Sequence, residues 1–330
     1  MTTEILTLKP FNTLFTTDSI LKHLVALYGI SKTSKVELVQ IGVNDTYLLQ
    51  SKGKKYIYRL YRLNLRSHQE IHFELDYLTF LKSKGVAVSD PLKNINNDYI
   101  VPIDSPEGLR YGVLFNYAQG KMVTYKDEEG VLASLYGEHV ASMHLAQKEF
   151  SSKYNRNLNL DTLVHEPLAK IPSLFADHPK STTMVNDMAQ FVLERFDDLG
   201  QDQLTQGVCH GDTHCGNAHI NTDDIITFFD FDCCGQGWLE YDLATFKWGS
   251  LSINKKQRYD HFLAGYSSIN SMPISNQAIN LLVAIRQIWL LGLHADSARL
   301  YGTTWYQQRY VEMNDRFFSE WKKGYLDNTL

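Results

Sequence analysis

Between Val208 and Asn217 the chain reads VCHGDTHCGN, ten positions holding two histidines, two cysteines, an aspartate and an asparagine. A metal cluster, a hydrolytic site and a loop that holds a phosphate donor all draw on such residues. Spacing separates them. Phosphoryl transfer from a nucleoside triphosphate needs a carboxylate at the attacking hydroxyl, hard oxygen ligands for magnesium and a cation on the phosphates. Asp212 and Asn217 stand five residues apart, and Asp230-Phe231-Asp232 follows one short segment later. A carboxylate, an amide and a second carboxylate would then emerge from adjoining turns. Zinc on His210, Asp212, His214 and Cys215 is the metal alternative, without the usual ligand spacings. An Asx-rich turn capping a hairpin is the purely structural one.

The elements that must position these residues can be read from periodicity. TTDSILKHLVALYG predicts a helix starting at Thr17, Asp18 or Ser19 and closed by Gly29. KVELVQIGVNDTYLLQSKGKKYIYRLY alternates, with SKGKK as a turn, and predicts an antiparallel sheet of at least three strands. SHQEIHFELDYLTFLKSKG predicts a helix with Ile71, Leu75, Leu78 and Leu81 on one face and Gly85 at its end. DYIVPI and RYGVLFNYAQG return to strand character. Beyond them helical periodicity dominates, except for AHINTDDIITFFDFD, which reads as a hairpin turning at NTDD. The expected organisation is a β-rich lobe over 1–117 and a mainly helical lobe over 118–330, an α+β fold.

With the loop, FFDFD and YDLA taken together, the chain resembles the aminoglycoside phosphotransferase, choline kinase and homoserine kinase type II superfamily. That resemblance implies a protein-kinase-like two-lobed fold. Asp212 then corresponds to the catalytic residue that orients or deprotonates the acceptor hydroxyl, and Asn217 and Asp230 to the magnesium ligands. His210 would brace the loop, Asp242 would be a buried structural aspartate, and Asp232 replaces the glycine of the protein-kinase D-F-G. In KYIYRLYR, Arg59 stands where protein kinases carry the strand lysine, with Glu74 as its partner and Glu70 as the alternative. IGVNDTY, with Asn44, Asp45 and Thr46, would cover the phosphates. LFNYAQG resembles the hinge, with the backbone of Asn116 and Ala118 against adenine.

The implied cofactors are ATP, with GTP equally compatible, and Mg2+. The implied activity is transfer of the γ-phosphate to the hydroxyl of an antibiotic, amino alcohol, homoserine or sugar-like molecule. No A-P-E or long activation segment follows Asp230, which disfavours regulated protein phosphorylation. A stress-response type of protein Ser/Thr kinase and a nucleotide-binding pseudokinase remain the alternatives. The acceptor site would come from the C-terminal helices. Trp238, Trp248, Trp289, Trp305 and Trp321 lie there, and Glu240, Asp296 and Glu312 are its candidate acidic wall. Aromatic rings beside carboxylates suit a cationic alcohol, although each alone is more often core or solvated surface.

Charge narrows the classes further. Residues 1–120 carry 14 Lys+Arg against 11 Asp+Glu, and 121–330 carry 18 against 26, so the second half is net −8. Nucleic-acid binding would need a basic footprint and is not expected. The N-terminus MTTEILTLKPFNTLF lacks a basic stretch followed by an apolar core, and no unbroken apolar run approaches a membrane span, so a cytoplasmic location is expected. Cys209, Cys215, Cys233 and Cys234 form no C-x-x-C pair and read as buried thiols, with oxidation near the loop as a route to inactivation.

Overall fold

Alternation over 35–61 places every second side chain of the central strand in a core, and the sheet forms around it. The computed structural model describes residues 8, 10–124, 127, 129–200 and 203–330, without the side chains of 299–301 and 303–310. Most of the first nine residues, read above for a leader, lie outside that set. Two compact units result, Met1–Thr79 with Ser89–Tyr117 and Phe80–Val88 with Ala118–Leu330.

In the first unit, helix α1 (Thr17–Tyr28) begins at Thr17, the first of the starts the sequence offered. Its N-cap is Thr16, whose Oγ1 accepts from the Ser19 N–H, and Gly29 closes it in the left-handed region at φ 62°. Strands β1 (Lys35–Ile41), β2 (Asp45–Ser51) and β3 (Lys54–Tyr61) form antiparallel hairpins. Lys52 and Gly53 both take positive φ between β2 and β3, as a tight two-residue hairpin turn requires. Helix α2 (His68–Ser83) starts with a capping box. The Ser67 N–H donates to Glu70 and the Glu70 N–H to Ser67 Oγ. Strands β4 (Pro91–Leu92), β5 (Val101–Ser105) and β6 (Gly108–Asn116) complete a sheet ordered β1-β2-β3-β6-β4, with β5 also on β6. Ile20 and Leu24 of α1 pack on Tyr47, Leu49, Tyr58, Leu60 and Leu114. Leu24 is fully buried, so Leu24→Ala should cost about 2–5 kcal/mol.

Residues 80–88 group with the second unit, which interrupts the continuous 1–117 lobe expected from sequence. They are tied there by a bridge between Val88 and Phe228, by the Phe228 N–H on the Ala87 carbonyl and by the Lys84–Glu149 ion pair. This unit holds β7 (Lys121–Met122), α3 (Val131–Ala146), β8 (Asn157–Leu158), α4 (Glu166–Leu174), α5 (Pro179–Leu199) and β9 (Gln206–Cys209). The hairpin β10 (Ala218–Ile220) and β11 (Ile226–Phe228) follows, then β12 (Gly235–Trp238). Helices α6 (Glu240–Ser252), α7 (Gln257–Ile269), α8 (Asn276–Tyr301) and α9 (Thr303–Leu326) end the chain. One small sheet is β11-β10-β7 and the other β8-β12-β9.

Helices α3 and α7 meet backbone to backbone. A Cβ on Gly265 would fall 1.9 Å from the Ser134 carbonyl oxygen, and one on Gly137 would fall 2.0 Å from that of Phe262. Helix α8 runs through the unit, with Ile279, Leu282, Ile285 and Ile288 buried. Asn280, Arg286 and Gln287 break its apolar run in the sequence, yet over 276–298 it is long and apolar enough to cross a membrane by length and composition. Its burial identifies it here as a core helix.

Candidate active site

Strand β9 delivers the loop, and the N-terminal turn of α6 holds it. Asp242 on that turn accepts the His210 N–H through Oδ2 and the Gly211 N–H through Oδ1, both at 2.8 Å. Its Oδ2 also meets His144 Nε2 at 3.1 Å. Thr213 Oγ1 donates to the Asp242 carbonyl at 2.5 Å. Gly211 sits at φ +80°, and a Cβ there would lie 2.2 Å from the Cys233 carbonyl oxygen, so the motif glycine is a steric necessity.

Both histidines are committed to the backbone. The Asp212 N–H donates to His210 Nδ1 at 3.2 Å, so the ring proton is on Nε2, which donates to the Phe229 carbonyl at 3.0 Å. Burial pushes the His210 pKa below its usual value and keeps the ring neutral. The Gly216 N–H donates to His214 Nδ1 at 3.0 Å, which turns Nε2 toward Asp212 Oδ2 at 3.4 Å. Burial opposes charge on His214, but the Asp212 carboxylate outweighs it and the pKa is raised. Cys215 is a buried thiol that accepts from Arg258 Nη2 at 3.1 Å. The zinc alternative therefore fails, since its nitrogens and sulfur are already engaged. No group of three His, Cys, Asp or Glu suited to a metal occurs among the described residues.

Asp212 is gripped from two sides. Asn217 Nδ2 donates to its Oδ2 at 2.8 Å, and Arg286 Nη2 donates to its Oδ1. Burial alone would raise its pKa; Arg286 first and then His214 overturn that and hold the carboxyl far below the ordinary range. The Phe229 N–H donates to the Asn217 carbonyl at 3.0 Å, which brings the two ends of the β10–β11 hairpin, and so Asn217 and Asp230, side by side. Asp230 takes positive φ, 65°, at the start of the turn over Phe231–Cys233. Asp232 is buried; Cys233 Sγ lies 3.3 Å from its Oδ1, and Arg156 donates to its carbonyl.

In the first unit, Arg59 Nη1 meets Glu74 Oε1 at 2.6 Å, and Tyr61 donates to Glu74 Oε2 at 2.7 Å. Glu74 is thus the partner, and Glu70 serves the capping box. The Arg59 guanidinium lies 4.9 Å from the Phe115 ring centroid. Thr46 pairs with Arg59 across β2 and β3, and Asn44 is buried at the end of the β1–β2 turn. Asp45 is not a phosphate contact. Its carboxylate is buried between Arg62 at 3.0 Å and Arg110 at 2.7 Å.

Several candidates are spent elsewhere. The Asn116 N–H donates to the Asp90 carbonyl at 2.9 Å, which leaves only its carbonyl, already accepting from Ser89, for the backbone role expected of it at adenine. The Ala118 carbonyl accepts from His219 Nδ1 at 2.6 Å. Glu240 is buried with both oxygens on the Thr205 N–H at 3.1 Å, so it anchors the entry to β9 and forms no substrate wall. Asp296 pairs with Lys170 at 2.6 Å, and Glu312 is exposed. Trp238 packs on Phe196 with centroids 5.1 Å apart, and Trp321 is buried with Nε1 on the Asn280 carbonyl. The Trp305 side chain lies outside the described residues. Trp289 stands 4.5 Å from the Arg286 guanidinium. All four cysteines are buried, and burial raises the Cys209 and Cys215 pKa values, which argues against ready oxidation.

Arg286 escaped the sequence reading. Its signal was present: it is the one charged residue between Asn276 and Ala295, and a buried arginine in an apolar helix requires an anion.

The chain is similar to several known proteins. A protein from Deinococcus radiodurans of unassigned activity is 30% identical over 302 residues, covering 90% of this chain and 87% of its own. The amicoumacin kinase of Bacillus subtilis is 23% identical over 297 residues, covering 86% and 87%. Among solved structures, a microcompartment-associated aminopropanol kinase superposes with a TM-score of 0.79 at 19% identity, covering 94% of this chain and 98% of its own. An amicoumacin kinase solved with AMP-PNP, Ca2+ and Ami reaches 0.74 at 22% identity, covering 96% and 94%. The fold is therefore the α+β, kinase-like one that the motifs implied. The family model described as the phosphotransferase enzyme family matches residues 36–270, and the chain belongs to that family.

Proposed function

We propose that this chain is an ATP-dependent, magnesium-requiring kinase that phosphorylates the hydroxyl of a small molecule. The observation that carries it is Asp212: an ionised carboxylate gripped by Asn217 and Arg286, on a loop locked by Asp242. In the transfer, the acceptor oxygen forms a bond to the γ-phosphorus while the bridging bond to the β-phosphate breaks. Little covalent work is left for protein groups, so positioning and charge dominate. Because Asp212 is held so far toward its ionised form, it acts mainly by accepting a hydrogen bond from the acceptor hydroxyl and aiming its oxygen. The proton passes late to the Asp212 carboxylate, as the new ester bond forms, and from there to solvent.

The residues present fit Mg2+. Asn217 and Asp230 offer an amide and a carboxylate oxygen at adjoining hairpin ends, hard donors that leave room for phosphates and water. With Nδ2 committed to Asp212, Oδ1 is the Asn217 atom that would face the ion. When bound, Mg2+ neutralises charge on the β- and γ-phosphates. Arg59, aligned by Glu74 and Tyr61, would hold the phosphates through a charge that no physiological pH removes. Asn44 and Thr46 would add polar contacts there, and the Ala118 N–H, its carbonyl being taken by His219, would meet the base.

Relatives named for aminopropanol and amicoumacin, and a choline kinase of the same fold, together with the net −8 of residues 121–330, favour a small alcohol carrying positive charge. The test is ADP release from Mg-ATP across aminopropanol, choline, amicoumacin, spectinomycin, homoserine and simple sugars, with Asp212→Asn as control. Turnover of one alcohol, lost in the variant, is the expected result. Phosphate appearing only on lysate proteins would favour a protein kinase instead. Absence of nucleotide binding would overturn the proposal.

A further inference from the structure

Arg286 has no part in the motifs that mark the family, yet it donates directly to the central carboxylate. Its side chain is 3% exposed. Nη2 donates to Asp212 Oδ1 and Nη1 to the Gly211 carbonyl at 3.1 Å, so one planar fork spans two consecutive loop residues. The guanidinium lies 4.5 Å from the Trp289 ring and 5.8 Å from that of Trp248. Trp248 is fixed in turn by its Nε1 donating to Gln287 Oε1 at 2.9 Å, and the Tyr241 phenol also interacts with the guanidinium. On the opposite side, Asn217 takes Asp212 Oδ2.

Two features separate this pair from a merely stabilising ion pair. A buried pair contributes little net stability, because desolvation offsets attraction. The aromatic groups around Arg286 also account for how it is held: two indole rings flank the guanidinium while Nη1 and Nη2 donate to the loop. Two of the tryptophans expected near a cationic substrate, Trp248 and Trp289, lie beside this internal cation.

We propose that Arg286 is a positioning residue for phosphoryl transfer: it fixes the orientation in which Asp212 meets the acceptor hydroxyl, and Trp289 and Trp248 hold it in place. This rests on the kinase reading above. Lysine cannot span Gly211 and Asp212 together, since its single ammonium lacks the fork.

A double-mutant cycle tests it, with ADP release from Mg-ATP measured on the alcohol that turns over best, or on water as acceptor where none does. Arg286→Met should lower kcat about 100-fold, the scale of a small misplacement of a reacting group. The Kd for AMP-PNP and the acceptor KM should stay near wild type. Added to Asp212→Asn, the same change should cost no more than about twofold, because Arg286 acts only through Asp212. Arg286→Lys should recover part of the loss. A full, multiplicative loss on top of Asp212→Asn would overturn the proposal, as would an Arg286→Met enzyme as fast as wild type. Should Arg286→Met fail to fold, Arg286→Lys carries the same cycle, because it keeps a cation opposite Asp212. A wild type that binds AMP-PNP but never releases ADP would overturn the kinase reading itself, and the proposal with it.

Discussion

Arg59–Glu74 in the first unit and Arg286–Asp212 in the second are both buried arginine–carboxylate pairs with aromatic rings alongside, but they are built for opposite ends. In the first, Glu74 receives Arg59 on one oxygen and Tyr61 on the other and is 2% exposed against 8% for the Arg59 side chain, so the cation is the member aligned for use. In the second, Arg286 is caged by Trp289 and Trp248 and gives N–H groups to Gly211 and Asp212, so the cation is the fixture and the carboxylate is the member presented. The same ion pair can deliver either charge, depending on which partner the surroundings bury more deeply: Glu74 in the first pair, and Arg286, 3% exposed against 18% for Asp212, in the second. Lys247 shows the third possibility. It is a buried cation whose Nζ has an amide partner, Asn280 Oδ1 at 2.6 Å, and the Tyr259 ring 5.0 Å away.

The largest effect is expected at the presented carboxylate. Asp212→Asn should reduce kcat by about 10³-fold or more while AMP-PNP binding persists, checked by turnover and titration calorimetry. Arg286→Met comes next, at about 100-fold in kcat with little change in KM. In the first unit the loss should move to the nucleotide: Glu74→Gln should raise the KM for ATP by about tenfold, the value of one lost charge-assisted contact, with kcat less affected. A Glu74→Gln enzyme that lost kcat as deeply as Asp212→Asn, with ATP affinity intact, would erase the distinction between the pairs.

The smallest effect concerns Lys247, and it is one of stability. Burial lowers its pKa to about 8 from 10.5, so between those values the unfolded chain binds more protons than the folded one. Stability should therefore rise with pH from about 8 to 10.5 on account of this group, the reverse of a well-paired lysine. Lys247→Met should stabilise the protein by about 1–2 kcal/mol at pH 7 and remove that rise, as followed by urea unfolding at pH 7, 8 and 9.5.

What the sequence revealed and what it hid follow one physical rule. Local features were legible: the five-residue step from Asp212 to Asn217, the hairpin turning at 221–224, the positive-φ turn at Lys52-Gly53, and Glu74 one helix after Arg59. Each is set by spacing within a few residues or one element. Partnerships over long separations were not. Asp45 looked available for phosphate until Arg110, 65 residues on, was found on it. Glu240 looked like a substrate wall until the Thr205 N–H claimed it. Asn116 reads as an adenine contact, and nothing in the sequence showed that Asp90 would take its N–H. Arg286 lies 74 residues beyond Asp212, where a residue type and its neighbours carry no trace of which loop will fold against it.

The most direct test of the central claim, that Asp212 directs phosphate from ATP to a small alcohol, is phosphorus NMR of Mg-ATP with wild type and with Asp212→Asn, in aminopropanol or choline. The account predicts a new phosphomonoester resonance growing at the rate ADP appears with wild type, and none with the variant on the same timescale. A phosphomonoester formed equally fast by Asp212→Asn would contradict it.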